Sequence, residues 1–400
     1  MYVNNYKKTD HLGRYFTNES VGKLLIDSMQ NVSPSLVLDL GAGDGALTEA
    51  ASKQWASARF MTVDIDSDAR SRTLSMLHGD SFTHTITDAL CHDLPQKLNM
   101  SVSSADAGVC NPPYAKPKWR DDFKEILDEA GLDDVIFSRK DISAELLFIA
   151  QNLRLLKDGG VLGLILPDGI ISGENNLSLR EKLIKSHAIE SIIELPRGVF
   201  PRTDAKTHIV VLRKNAASRS TLVLQRINSS YAFSSPIEID AEKGILRLDY
   251  SYHADFKEKN NGVRVGDIAT KVIRGRTSSS ERRLRHYPVF HISDMFSGVH
   301  CVPPEFNIEN IDTLPSEICA YSGDILISRV GRNLDDKVCF LDEGKIAISD
   351  CITLIRVPEI YRDRLFRFLV SDTGKKQLVA LSHGVGARFL THKSIMDLKI

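Results

Sequence analysis

The chain has 400 residues, 42% hydrophobic and 26% charged, with a formal net charge of −1. That length allows two domains, each with its own core, and the composition is that of an ordinary globular protein. No apolar run approaches the roughly 20 residues that cross a bilayer, the start of the chain lacks a secretory apolar core, and the six cysteines are scattered without a CxxC pair; this predicts no metal site, no disulfide framework and a reducing, cytoplasmic setting.

From Ser35, SLVLDLGAGDGALTEAASKQ reads as a buried strand, a glycine-rich turn and a helix. RFMTVDID is a second strand of the same kind, and ADAGVCNPPY offers a third. DISAELLFIAQNLRLLKDGG predicts an amphipathic helix with Leu146, Leu147, Ile149, Ala150, Leu153 and Leu156 on its apolar positions. Asp141 is its expected N-cap and Gly159 its C-terminal stop. The strands GVLGLILP, IESIIELP and THIVVLRK follow. Apolar strands separated by helical stretches predict an α/β fold with a mostly parallel sheet covered on both faces. Beyond about residue 240 the strands shorten and the turns become polar. One helical region is expected at EIYRDRLFRFLVSDTGKKQLVALS. A boundary near 240–255 divides the chain into a larger domain, residues 1–245, and a smaller α+β domain, residues 246–400.

The turn DLGAGDG carries the first chemistry. Gly41 and Gly43 let backbone approach a ligand closely, and the helix that follows presents free N–H groups. The spacing is not G-x-G-x-x-G, and Asp39 at the strand end would repel a pyrophosphate. It would welcome a cationic amino group, which points to S-adenosylmethionine. Asp64, with Asp66 second, can accept hydrogen bonds from ribose hydroxyls; Ile65 can lie on the adenine face, and Asp88 in ITDAL can accept from the adenine amine. In NPPY, the Asn111 side-chain oxygen and the Pro112 carbonyl are two acceptors for the two N–H bonds of one planar amine. Pro112 and Pro113 stiffen the backbone and leave no nearby donor to compete. Tyr114 supplies a ring for stacking a nucleobase that has left its duplex.

In their order, GRYFTN, DLGAGDG, TVDID, ITDAL, NPPY, GGVLGLILPDGII and IIELPRGVFPRTDAKTHIVVL resemble the motifs of N6-adenine DNA methyltransferases. The order is similar to that of type I modification subunits and of type II enzymes of related, gamma-class plan. The resemblance covers roughly residues 11–215 and implies a Rossmann-like domain using S-adenosylmethionine. It implies that Phe16 and Thr17 line the methionine end of the cofactor, with Asp39 on its amino group, Asp64 on its ribose and Asp88 on its adenine. It also implies that Phe200 sandwiches a flipped adenine opposite Tyr114. Asn111 favours adenine, since Ser tends to stand there in N4-cytosine enzymes.

The stretch from Arg264 to Tyr287 holds seven Lys/Arg against Asp267 and Glu281, an electrostatic footprint or a solvated loop. Residues 260–400, with YSGDILISRVGRN and SHGVGARFLT, resemble one target-recognition domain of type I specificity subunits. The resemblance implies double-stranded DNA as partner, approached at Arg274, Gly275 and Arg276, with GDILISR and GVGARFLT as scaffold. Lys116, Lys118 and Arg120 are expected to face phosphate, the commoner and sequence-blind contact. A single recognition domain fused to the catalytic one predicts a self-contained modification enzyme, monomer or homodimer, with any nuclease or specificity subunit as a separate partner. The competing readings are a methyltransferase for another planar nitrogen, such as protein glutamine, rRNA guanine or N4-cytosine, and a DNA-binding regulator with an inactive core.

Overall fold

The computed structural model describes residues 17–67, 81–136, 138–139, 142–200, 205–257, 262–308, 318–384 and 387–400. Phe16 and Asp141 lie outside these residues. The chain divides into two compact units, Met1–Tyr250 and Ser251–Ile400.

In the first unit one nine-stranded sheet is built from β1 (Leu36–Leu40), β2 (Arg59–Asp64), β3 (Phe82–Ile86), β4 (Ala105–Cys110), β5 (Leu156–Pro167), β6 (Ala188–Glu194), β7 (Thr207–Arg213), β8 (Thr221–Arg226) and β9 (Ile237–Asp240). Their order is β3-β2-β1-β4-β5-β7-β6-β8-β9. The strands from β3 to β5 are mutually parallel. β7 runs antiparallel to both neighbours, β5 and β6. The fold is therefore the α/β, mostly parallel sheet that continuous apolar strands predict. All of Leu36–Leu40 is buried, as a strand covered on both faces must be.

Helix α1 (Glu19–Ser28) packs on α2 (Ala46–Gln54). Helix α3 (Asp121–Glu129) buries Phe123, Ile126 and Leu127. Helix α4 (Ala144–Leu155) is buried along its whole length. Its cap is Ser143, whose Oγ accepts from the Leu146 N–H at 3.3 Å. The helix ends before Gly159, because β5 takes over at Leu156. Gly159, at φ +77°, sits inside that strand and donates its N–H to the Lys214 carbonyl at 2.8 Å.

The second unit contains the short strands β10 (Lys271–Arg274), β11 (Val289–Phe290), β12 (Cys319–Tyr321), β13 (Ile325–Ser328), β14 (Val330–Gly331), β15 (Val338–Phe340), β16 (Lys345–Ile348), β17 (Ile352–Arg356) and β18 (Arg388–Phe389). They form an antiparallel sheet β10-β17-β13-β15, a second sheet β11-β16-β12, and the pair β14-β18. The expected single helical region is two helices, Glu359–Val370 and Asp372–Leu381. Ser371 separates them and caps the second, its Oγ accepting from the Gly374 N–H at 3.2 Å.

Candidate active site

From β1 the chain travels outward through β2 and β3 and returns to β4 on the opposite side of β1. That reversal opens a crevice at the carboxyl ends of β1 and β4, the place where open α/β sheets bind ligands. A cavity of about 320 Å³ lies there, lined by residues that directly follow or end β1, β2 and β4 and by the loop after β3. Thr17, Asp39, Gly41, Gly43, Asp64, Ile65, Asp88, Asn111 and Pro113 all line it.

The glycine turn is tied to β2 at several points. The N–H groups of Gly41 and Ala42 donate to the Val63 carbonyl at 2.8 and 3.0 Å. Gly41 has φ +77°, and a Cβ there would lie 3.2 Å from Phe148 of α4. Gly43 N–H donates to Asp64 Oδ2 at 2.8 Å, and Asp66 N–H to Asp64 Oδ1 at 2.8 Å. The 5% exposed Asp64 carboxylate thus organises the turn while keeping lone pairs for a ligand. Ile65 beside it is 56% exposed.

Asp39 is 2% exposed within β1. Its Oδ2 accepts from the Thr48 hydroxyl at 2.5 Å, and its buried Oδ1 has no hydrogen-bond partner. Burial, with the Asp64 charge adding to it, pushes the Asp39 carboxyl up to about 7 against the opposing Thr48 hydrogen bond. A buried, half-satisfied carboxylate facing a cavity is suited to a cation.

Asp88 is spanned by Arg120, whose guanidinium donates to Oδ2 at 2.7 Å and to the Leu90 carbonyl at 2.9 Å. Asp88 Oδ1 accepts from the Leu90 N–H at 2.9 Å. Arg120 therefore braces the cavity wall while its side chain stays 42% exposed. Lys116 and Lys118 are exposed, and Lys116 stands at the cavity.

Asn111 is the first residue beyond β4, and its Nδ2 donates to the Thr17 hydroxyl at 3.1 Å. Pro112 is buried, while Pro113 and Tyr114 are half-buried. The Ala115 carbonyl accepts from the Ala144 N–H at 2.9 Å, which fastens the NPPY segment to the start of α4. The N-6 DNA Methylase family model matches residues 1–243, more than half of the chain. The chain belongs to the N-6 DNA methylase family.

The chain is 24% identical over 234 residues to the type I restriction enzyme MpnII methylase subunit of Mycoplasma pneumoniae, covering 54% of this chain and 42% of that one. It is 25% identical over 337 residues to the type II methyltransferase M.BsuBI of Bacillus subtilis, covering 78% and 62%. It thus spans less than two thirds of either relative. The solved type IIG restriction endonuclease BpuSI has the same kind of fold, with a TM-score of 0.54 at 16% identity, over 98% of this chain and 59% of that one.

Two expectations for the methylase change on inspection. Phe200 is 2% exposed and packs in the core with Val21, Leu25, Ile193 and Ile209, so it presents no face to a base. In the second unit Gly275 is buried, and a Cβ would collide with the carbonyl oxygens of Ile348 and Ser349. Its smallness serves packing. Arg276 beside it is exposed, and Arg274 pairs with Asp350 at 3.2 Å. Motif reading missed Phe148, which lines the cavity, and Thr48, which bonds Asp39 without lining the cavity itself; a threonine facing inward from an amphipathic helix was the available signal for Thr48. Among the described residues no group of three or more His, Cys, Asp or Glu could hold a metal ion, and no helix is long and apolar enough to cross a membrane.

Proposed function

We propose that this methylase is a sequence-specific DNA adenine-N6 methyltransferase of a restriction–modification system, using S-adenosylmethionine. The observation that carries the reading is Asn111-Pro112-Pro113-Tyr114 at the end of β4, bordering a cavity that contains the half-satisfied Asp39 carboxylate. Asp39 would hold the cofactor's ammonium group, Asp64 its ribose, Ile65 the face and Asp88 the amine of its adenine, with Gly41 and Gly43 giving backbone access. Bound there, S-adenosylmethionine supplies an electrophilic methyl group on a positively charged sulfur. Asn111 Oδ1 and the Pro112 carbonyl would accept from the two N–H bonds of the target amine, orienting its lone pair, with Pro113 stiffening the segment. Tyr114 would stack on the extruded base, a contact worth about 1–3 kcal/mol. Transfer is expected to be direct, without a covalent enzyme intermediate.

The second unit would choose the target sequence on double-stranded DNA, with Arg274 and Arg276 both exposed in the 274–276 segment. A nuclease or specificity subunit would act as a separate partner, with the methylase as monomer or homodimer in the cytoplasm. Incubation with methyl-labelled S-adenosylmethionine and unmodified plasmid tests the reading. Label should enter DNA as N6-methyladenine in one sequence context; intact cofactor binding without DNA labelling would overturn it.

A further inference from the structure

We infer that Arg120 is a positioning residue that gives the cofactor cavity its selectivity for a purine carrying a 6-amino group. The inference rests on the proposed use of S-adenosylmethionine, in which the Asp88 carboxylate accepts from the adenine amine. Asp88 and Leu90 line the cavity, and Arg120 grips both from outside that lining.

A carboxylate can act as a selective acceptor only if it is held still. The loop after β3 that carries Asp88 has every carbonyl from Asp88 to His92 engaged. The Asp88 carbonyl accepts from the Cys91 thiol at 2.9 Å. The Ala89 and Cys91 carbonyls accept from Gln151 Nε2 at 2.8 and 3.0 Å, and the His92 carbonyl accepts from Arg154 at 2.8 Å. Gln151 and Arg154 belong to the buried helix α4, which ties the loop to the interior of the unit. The Leu90 carbonyl takes its bond from Arg120 at 2.9 Å. The Asp88 side chain is less confined than its backbone: it is 34% exposed, and rotation about its own bonds would carry it into solvent. Its Oδ1 accepts from the Leu90 N–H at 2.9 Å and its Oδ2 from Arg120 at 2.7 Å.

Arginine suits this post because its planar fork carries several donors in a fixed geometry. One terminal nitrogen takes the Asp88 carboxylate and the other the Leu90 carbonyl, so side chain and loop are locked to the same group. Arg120 is itself held: its carbonyl accepts from the Phe123 N–H at 3.2 Å at the start of α3, and its guanidinium carbon lies 4.7 Å from the centre of the Phe123 ring. A partly exposed ion pair adds little stability. Its value here is orientation. The paired carboxylate presents acceptors only, with a lone pair left on each oxygen. A purine with an amine at position 6 donates to it, whereas one with hydrogen there leaves the acceptor unmatched. A carboxylate free to turn away would bind the two alike.

The test measures, by calorimetry, binding of S-adenosylhomocysteine and of its analogue with hydrogen in place of the 6-amino group. Full-length wild type should prefer the first by about tenfold or more, as expected for a hydrogen bond to a charged group. In Arg120→Met the preference should fall below about threefold, with the loss confined to the adenosyl ligand. Arg120→Lys should fall between, because one ammonium cannot hold carboxylate and carbonyl together. Asp88→Ala should have no preference, and adding Arg120→Met to it should leave the relative affinity unchanged. Equal weakening of both ligands in Arg120→Met would reduce the arginine to support of the fold and overturn the inference. A further change of relative affinity in the double variant would overturn it too. If Arg120→Met does not fold, Arg120→Lys decides, and a full wild-type preference there overturns it. Wild-type protein that binds neither ligand, or both equally, would instead overturn the cofactor assignment within the proposed function.

Discussion

The Asp39 carboxyl is buried in a strand with one oxygen unpaired, so its charge costs the ligand-free protein stability. Its pKa is raised to about 7 from an ordinary 3.8, burial being the main cause. The folded state therefore holds this proton more tightly than the unfolded chain. The resulting stability is complete below the ordinary carboxylate range and is lost as pH rises through about 7. Asp39→Asn should then raise the melting temperature of the ligand-free protein most at about pH 8 and progressively less as pH falls towards the ordinary carboxylate range, as followed by thermal unfolding. The same substitution should weaken S-adenosylmethionine binding by at least about tenfold in calorimetry, since a cation loses its counter-charge. Wild-type affinity should fall as pH drops below about 7, because the ionised carboxylate is the form that binds. Asn111→Ala should abolish methyl incorporation into DNA while retention of cofactor and DNA is measured separately; near-normal turnover would remove the amide from its role. That Asn111 and Asp39 would line one cavity was legible in the sequence, because each stands at or just beyond the end of an apolar strand. Phe200 was not, since whether an aromatic beside a turn faces a cavity or the core is decided by α1 and the strands β6 and β7, far from it in sequence.

Arg180 of the helix Leu177–Ser186 is buried and has a full set of backbone partners at the level of elements. Its guanidinium donates to the carbonyls of Ile170, Gly173, Ile245 and Leu246 at 2.8–2.9 Å. Those carbonyls belong to the short helix Asp168–Ser172 with its cap Gly173 and to the helix Ala241–Leu246, so one side chain ties together two elements. A lysine has a single ammonium and cannot span such a set. Arg180→Lys should therefore destabilise the unit nearly as much as Arg180→Met, by on the order of 2–4 kcal/mol in urea unfolding. At this scale the sequence was readable where burial on both faces writes a continuous apolar run, as in β1, β4 and β5. Strand direction is not written that way: THIVVLR is equally apolar pointing either way, and β7 is reversed. The break between the two C-terminal helices did have a local signal, Ser371 three residues before Gly374, which helical periodicity on either side obscured.

Across the first unit as a whole, the strand ends are joined by a buried ionic cluster. Lys206 Nζ lies 3.1 Å from Glu194, 3.3 Å from Asp249 and 3.7 Å from Asp168, and Arg247 grips Asp249 at 2.7 Å. Burial alone would raise the Glu194 and Asp249 carboxyls; Lys206 acts on both, with His208 on Glu194 and Arg247 on Asp249, and holds each well below the usual range. Stability from such depressed carboxylates is present above the ordinary carboxylate range and lost as pH falls towards their lowered values. Lys206→Met leaves buried carboxylates uncompensated and should cost about 3–5 kcal/mol near neutral pH, with the deficit shrinking on acidification as they take up protons. Denaturant unfolding at two pH values measures both effects. None of this cluster could be read in advance, because Asp168, Glu194, Lys206 and Asp249 are scattered charges in sequence and meet only in the folded sheet. The two compact units, Met1–Tyr250 and Ser251–Ile400, differ in texture because one large, mostly parallel sheet and several small ones need different strand lengths.

The reversed strand has a consequence for how the molecule is made. β6 leaves the ribosome before β7, yet its partners in the sheet are β7 and β8, both still to come. Until Thr207–Arg213 arrives and slides between β5 and β6, the nascent sheet has an open apolar edge at β5 and an apolar strand with nothing beside it. The middle of this sheet is thus among the last parts to close, and the interval before closure is when the growing chain is most exposed to wrong pairing with another copy of itself.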